Sequence, residues 1–298
     1  MASIASTGPV LATERASRGI WRDALRRLLR NGPALVGLFF IALFLFLALL
    51  APLLTPYDPV VGTLADRLQP PGSPGHLLGT DLQGRDELAR IVYGARLSLV
   101  VCVGSVLMGL AMGGTIGAIA GAAGGRTDAV LMRTVDVLLA IPGILLAIGV
   151  VTWLGRGLPQ IMLAVAATNA PIFARILRGS LLANREQDYV IAARSIGAPR
   201  LRVLFRHLLP NSLTSVMVAG TLALATAIID VAGLGFLGLG PSDPRTAEWG
   251  TMLTDSTQYL RQGPFLIFFP GVAIVISAIG FNLLGDGLRE SLDPRLKR

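Results

Sequence analysis

Long apolar runs alternate along the chain with short polar stretches that carry arginine. Residues 34–54 hold no charge, and at 1.5 Å per residue such a run crosses a hydrocarbon layer about 30 Å thick. Further runs with little or no charge cover 97–125, 137–155, 157–174, 212–234 and 263–285. Six spans are predicted, and all are helical, because a single segment in lipid must satisfy its own backbone groups. The first run exceeds the apolar core of about 7–15 residues found in signal peptides, so it is read as a retained span. The predicted fold class is an all-α integral membrane protein.

Details within the runs change the picture. Gly109, Gly113, Gly117, Gly121 and Gly125 recur every fourth position, leaving one helix face bare so that a second backbone can approach. Pro142 predicts a kink in the third span. Asn169 and Pro171 place a polar group and a helix breaker at membrane depth, where a protein interior or a water-lined path must receive them. Asp230, in the outer third of the fifth span, is either a functional acid or close enough to the interface to be hydrated. Asn169 and Asp230 are therefore the candidates for a translocation pathway.

The polar loop 55–96 ends in HLLGTDLQGRDELARIVYGARLSL. Thr80 and Gln83 have capping-box spacing, and Leu88, Ile91, Val92 and Ala95 form one apolar face. A solvated surface helix leading into the second span is predicted. Asp81, Asp86, Glu87 and His76 cluster there, but no pair has a recognised metal spacing.

Residues 187–211, QDYVIAARSIGAPRLRVLFRHLLPN, form a polar island between spans. Val190, Ala193 and Ile196 share a face, Gly197 suits a helix stop, and Pro199 suits the first turn of the next helix. That second helix places Leu201, Leu204, Phe205 and Leu208 together and ends at Pro210. Such a pair of helices links two spans, lies on lipid, or docks in a groove of a soluble partner.

Charge orients the chain. It has 26 basic and 18 acidic residues, with Lys297 as its one lysine, and only 15% of its residues are charged, against about 25% in soluble domains. With six spans, both termini and the loops 126–133 and 175–206 share one side, which holds 19 of the basic residues. Basic loops stay cytoplasmic. The island and both termini are thus expected inside, and the loops 55–96 and 235–262 outside. The charges border spans instead of forming a stripe, which excludes nucleic acid as a partner.

Chemistry of the catalytic kind is missing. His76 and His207, the two histidines, are expected on opposite membrane faces, so no Ser-His-Asp or Cys-His set assembles. A phosphate-binding loop needs a lysine in a context that Lys297 lacks. Residues 233–238, GLGFLG, match the dinucleotide fingerprint formally but end a membrane helix instead of opening a βαβ unit. A secondary transporter would carry inverted repeats and several buried coupling acids. A membrane-embedded enzyme would carry several polar groups at one depth.

The chain resembles permease subunits of ATP-binding-cassette importers, in particular the C-type permease of the dipeptide/oligopeptide/nickel family. The carriers are Tyr189, Ala192, Ala193, Gly197, His207, Pro210 and Asn211 in the island, with HLLGTDLQGRDELAR at 76–90 and GARLSL at 94–99. Asp136 through Ile141-Pro142, GFLGLG at 235–240, Trp249-Gly250 and GDGLRESLDPR at 285–295 add to it. The sequence departs from the family at Ile191, where a glutamate is usual, and at Asp230 and Gly235, where glutamate and serine are more frequent.

The resemblance implies a type I importer transmembrane fold with a cytoplasmic coupling helix. It divides the chain into a cytoplasmic tail 1–33, a first helix and outer loop 34–96, a core permease domain 97–288 containing the coupling loop 187–211, and a cytoplasmic tail 289–298. Tyr189, Ala192, Ala193, Arg194, Gly197, Ala198, Arg202, His207 and Pro210 would contact an ATPase. Asp81, Arg85, Asp86 and Trp249 would face an extracytoplasmic substrate-binding protein. The other implied partners are a homologous B-type permease, one or two cytoplasmic ATPase subunits and the lipid of a prokaryotic inner membrane. This chain would hold no cofactor itself, ATP and magnesium belonging to the ATPases. Peptides are the expected cargo, with nickel complexes, glutathione or oligosaccharides as alternatives.

Overall fold

The structure, a computed structural model, describes residues 25–241, 243 and 246–292. The predicted tails fall partly outside them, including Arg15, Arg18, Arg22, Arg295, Lys297 and Arg298. Nine helices organise the described residues: α1 Gly32–Leu54, α2 Glu87–Ala123, α3 Gly125–Ala140, α4 Gly143–Leu154, α5 Leu158–Arg185, α6 Asp188–Ser195, α7 Arg200–Leu239, α8 Trp249–Ser256 and α9 Phe265–Leu292. Of these, α1, α2, α5, α7 and α9 are long and apolar enough to cross a membrane.

The third predicted span is broken. α3 and α4 meet at 97°, so Pro142 separates two helices instead of kinking one. Ile141, held extended by the proline that follows it (φ −88°, ψ 129°), cannot continue α3. The 12 residues of α4 reach only about 18 Å. The fourth span extends well past the predicted end, because α5 stays helical through Arg175 and Arg178 to Arg185.

The frame of the bundle is α2 packed along α5, its most extensive helix pair. The two run parallel and in step. A Cβ on Gly109 would lie 3.0 Å from the Ala166 carbonyl oxygen, on Gly113 2.1 Å from that of Ala170, and on Gly117 2.4 Å from that of Ala174. At Gly113 and Gly117 only glycine permits that approach, and in lipid such contact is what holds helices together. Gly121 meets the Leu181 side chain, whereas Gly125 lies beyond the end of α2 with nothing within 4 Å. At the fifth predicted glycine the stripe therefore stops. A second crossing joins α1 to α9, where a Cβ on Gly37 would lie 2.6 Å from the Gly280 carbonyl oxygen.

Two arginines of α5 tie α3 to this frame. Arg178 donates to Asp128 from Nε at 2.5 Å and Nη2 at 2.6 Å, a two-point grip, and Arg175 Nη2 donates to Asp136 at 2.6 Å.

A Gly113→Ala substitution is expected to destabilise the detergent-solubilised protein by roughly 1–3 kcal/mol, as overpacking does. Gly114→Ala, whose nearest neighbour would be 4.0 Å away, should change little. Thermal unfolding of the two variants checks this.

Candidate functional site

The island between α5 and α7 is a helical hairpin with a defined hinge. α6 ends in a Schellman turn: the Ala198 N–H donates to the Ala193 carbonyl at 3.1 Å and the Gly197 N–H to that of Arg194 at 2.9 Å. Gly197 takes φ +80°, a conformation that glycine adopts without strain. Pro199 then caps α7 in extended backbone.

From there the structure departs from the sequence reading. Pro210 does not end the second helix. A π-turn at Leu204–Leu208, with Leu209 N–H donating to the Leu204 carbonyl, carries the chain past the proline and straight into the fifth span. The proline has no N–H, and the wider turn lets the backbone bypass that gap. It also shifts the phase of the side chains, so the expected apolar face is split: Val203 and Leu208 are buried, while Leu201 and Phe205 are 69% and 65% exposed. Val190 and Ala193 pack inward, but Ile196, the residue that turns out of α6, is 86% exposed.

The nine expected ATPase contacts are accordingly of three kinds. Tyr189, Ala192, Arg194, Gly197, Arg202 and Pro210 are exposed, Ala198 and His207 are half-buried, and Ala193 is buried and packs against the bundle. Asn211 Nδ2 donates to the His207 carbonyl at 2.7 Å and to Tyr189 Oη at 3.3 Å, pinning α6 to the start of α7. Ile191, at the position where a glutamate is usual, is half exposed on α6. The hairpin as a whole leaves Tyr189, Ile191, Ile196, Leu201 and Phe205 uncovered.

On the other face, Asp81, Arg85, Asp86 and Trp249 are all buried within the chain, so the expectation that they face a partner is corrected. Asp81 accepts from the backbone N–H of Gln83 and of Arg85 and from Arg85 Nε at 2.6 Å, and Arg90 Nη1 lies 3.5 Å from it. Asp86 is the actual N-cap of α2, accepting from Ala89 N–H at 2.7 Å, with His76 Nδ1 2.9 Å from its other oxygen. Thr80 caps nothing: its hydroxyl accepts from Gln69 N–H and donates to the Asp66 carbonyl. The predicted solvated helix start is therefore a buried ionic knot.

Trp249 is sealed above it. Its indole Nε1 donates to the Ile91 carbonyl at 3.1 Å, and its ring meets Phe44 edge-on at 5.3 Å, so one side chain binds α8 to α2 and α1. Glu248 caps α8 from a buried position, accepting from Gly250 and Thr251 N–H, both at 2.9 Å. Burial raises its pKa above the ordinary 4.5, opposed by those N–H donors. The most exposed apolar residues of the loop before α2 are instead Val61, Leu64 and Leu77, which charge-based reading passes over.

The two pathway candidates differ in their surroundings. Asn169 is buried, its Nδ2 returns to the Val165 carbonyl at 2.9 Å, and its Cβ abuts Gly109 of α2. Asp230 is half-buried on α7. Polar groups are instead open on the α3–α5 face, where Arg175 and Asp136 form an ion pair with more than half of each side chain exposed. Nearby, the α3–α4 break opens a cavity of about 410 Å³ lined by Leu138, Pro142, Thr168 and Ile172.

A family model for the inner membrane component of binding-protein-dependent transport systems matches residues 113–298, and one for the N-terminal transmembrane domain of oligopeptide transport permease C matches 19–71. The chain belongs to the binding-protein-dependent transport system inner membrane components. It is 45% identical to the dipeptide transport system permease protein of Alkalihalophilus pseudofirmus, over 93% of this chain and 90% of that protein. The glutathione transport system permease protein of Pectobacterium atrosepticum is 42% identical, over 98% and 96%. The oligopeptide transport system permease protein of Bacillus subtilis is 40% identical, over 99% and 96%. The fold is shared with a chain of the inward-facing MetNI methionine ABC transporter, with a TM-score of 0.57 at 20% identity over 68% of this chain and 96% of that chain. This inner membrane component thus has the importer-permease fold that its sequence resembles.

A buried acid with a raised pKa holds its proton more firmly folded than unfolded. The stability that Glu248 contributes is therefore full below 4.5 and lost as pH rises through its raised value. Glu248→Gln should flatten this decline when thermal unfolding is followed across pH; Asp255, also raised by burial, keeps a residual slope.

Proposed function

We propose that this chain forms half of the translocation pathway of an ATP-driven importer for di- and oligopeptides. The observation that carries the proposal is the α6 hairpin, a rigid hinged element with Ile191 and Ile196 uncovered on the arginine-rich face of the bundle. Large apolar side chains exposed together on one short polar hairpin call for a partner to cover them. The arginines put it on the cytoplasmic side, where ATPase subunits would seat the hairpin. They would also bind the ATP and magnesium for which this chain has no loop. Closure of the ATPases would move α6 and, through Tyr189, Asn211 and the continuous α7, tilt the bundle as a rigid body.

A homologous B-type permease would complete the pathway. The exposed Arg175–Asp136 pair supports placing the pathway along α3 and α5, since charges turned toward lipid are costly and a water-filled vestibule between two subunits relieves that cost. The exposed outer residues Val61, Leu64 and Leu77 are the surface offered to a substrate-binding protein. In this reading the chain resides in a prokaryotic inner membrane with both termini cytoplasmic. Peptide cargo follows the dipeptide and oligopeptide relatives; the glutathione relative supports a second reading, a small peptide thiol.

Ile196→Glu tests the coupling assignment. It removes an apolar contact of about 1.5–3 kcal/mol, so affinity for the ATPase subunit should fall roughly 10–100-fold. ATP-driven peptide uptake by proteoliposomes should fall with it, while membrane insertion stays normal. Unchanged ATPase binding would remove α6 as the docking element.

A further inference from the structure

Between the last turns of α2 and the first turns of α7 lies a groove of about 970 Å³. Its floor is apolar, with Ile119 and Ala122 on one side and Phe205 and Leu208 on the other. Three arginines stand around it: Arg185 closes α5, Arg194 closes α6 and Arg200 opens α7. Among the described residues no acid lines the groove, and none forms an ion pair with these arginines. Three cations thus face an open apolar slot with no counter-charge from the described residues.

We infer that this groove holds an anionic phospholipid, its phosphate among Arg185, Arg194 and Arg200 and an acyl chain along Ile119, Ala122 and Leu208. Depth favours lipid over a soluble partner. The α2 side of the floor belongs to the uncharged run 97–125, within reach of acyl chains, whereas the rim carries guanidinium groups suited to two-point contact with phosphate. Basic pockets between membrane helices on the cytoplasmic side are built for such headgroups. Ile191 and Ile196 do not line the groove, whereas Arg194 and Ala198, two of the expected ATPase contacts, do; the inference therefore gives Arg194 to lipid and leaves Ile191 and Ile196 to the ATPase. A bound lipid would brace α6 and α7 against α2, making the hinge sensitive to membrane composition. The lipid inference rests on the proposed function only for the side of the membrane it assigns.

The full transporter complex, reconstituted in nanodiscs of phosphatidylcholine with 30 mol% phosphatidylglycerol and then extracted in mild detergent, provides the test. Native mass spectrometry counts the phosphatidylglycerol retained. Each arginine near an anionic headgroup contributes about fivefold, so Arg185→Gln/Arg194→Gln/Arg200→Gln should weaken retention about a hundredfold. Ala122→Trp, which fills the floor at an exposed position without changing charge, should also lower it. Arg202→Gln/Arg206→Gln, a similar loss of charge outside the groove, should leave retention unchanged. Retention at the wild-type level in both the triple variant and Ala122→Trp would overturn the inference, as would equal losses in all three variants, which signal diffuse attraction. Loss of the ATPase subunit with phosphatidylglycerol retained would assign the groove to protein instead. Both leaflets of a nanodisc have one composition, so the lipid result stands whichever side the hairpin faces.

Discussion

Lipid gives two apolar helices no hydrophobic reason to meet, so the pairing of α2 with α5 depends on close packing. Gly109, Gly113 and Gly117 bring the helices close enough for carbonyl oxygens of α5 to touch the bare face of α2. Everything that has to be held at a fixed distance hangs from this pair. The N-terminal end of α2 carries the ionic knot around Asp81 and Asp86, and Trp249 fastens α8 and α1 to it. The C-terminal end of α5 leads into the α6 hinge, and its arginines anchor α3.

Around that frame the chain separates rigid from adjustable parts. The Schellman turn at Gly197 and the contact of Asn211 with Tyr189 make the hairpin one piece. The π-turn leaves no break between hairpin and span, so α7 runs from one into the other as a single element. The α3–α4 break does the opposite: it interrupts a crossing segment and leaves a cavity beside Thr168. Such broken spans are tolerated where protein or water receives the freed backbone groups.

Much of this was legible in the residue order. Uncharged runs located the long helices, and the four-residue glycine period named the face that α5 covers. Gly197 marked the hinge because few other signals imitate a left-handed stop after a helix. What escaped had physical reasons. Pro210 reads as a terminator, and only the tertiary path of α7 reveals a π-turn around it. Asp81, Arg85 and Asp86 read as solvated because charge ordinarily is; their burial depends on partners such as Arg90 and on the cover supplied by α8, far along the chain. Asn169 suggested a channel, yet its amide finds a partner one turn back in its own helix, and no sequence pattern announces that choice.

The central claim is that the exposed side of α6 is a cytoplasmic seat for a separate ATPase. Cys102, the chain's one cysteine, is buried, so an Ile196→Cys variant offers a single reactive thiol. A membrane-impermeant maleimide should label it in inside-out vesicles and not in right-side-out ones, and added ATPase subunit should block the labelling. Equal labelling with and without the ATPase, or labelling from the outer face, would contradict the account.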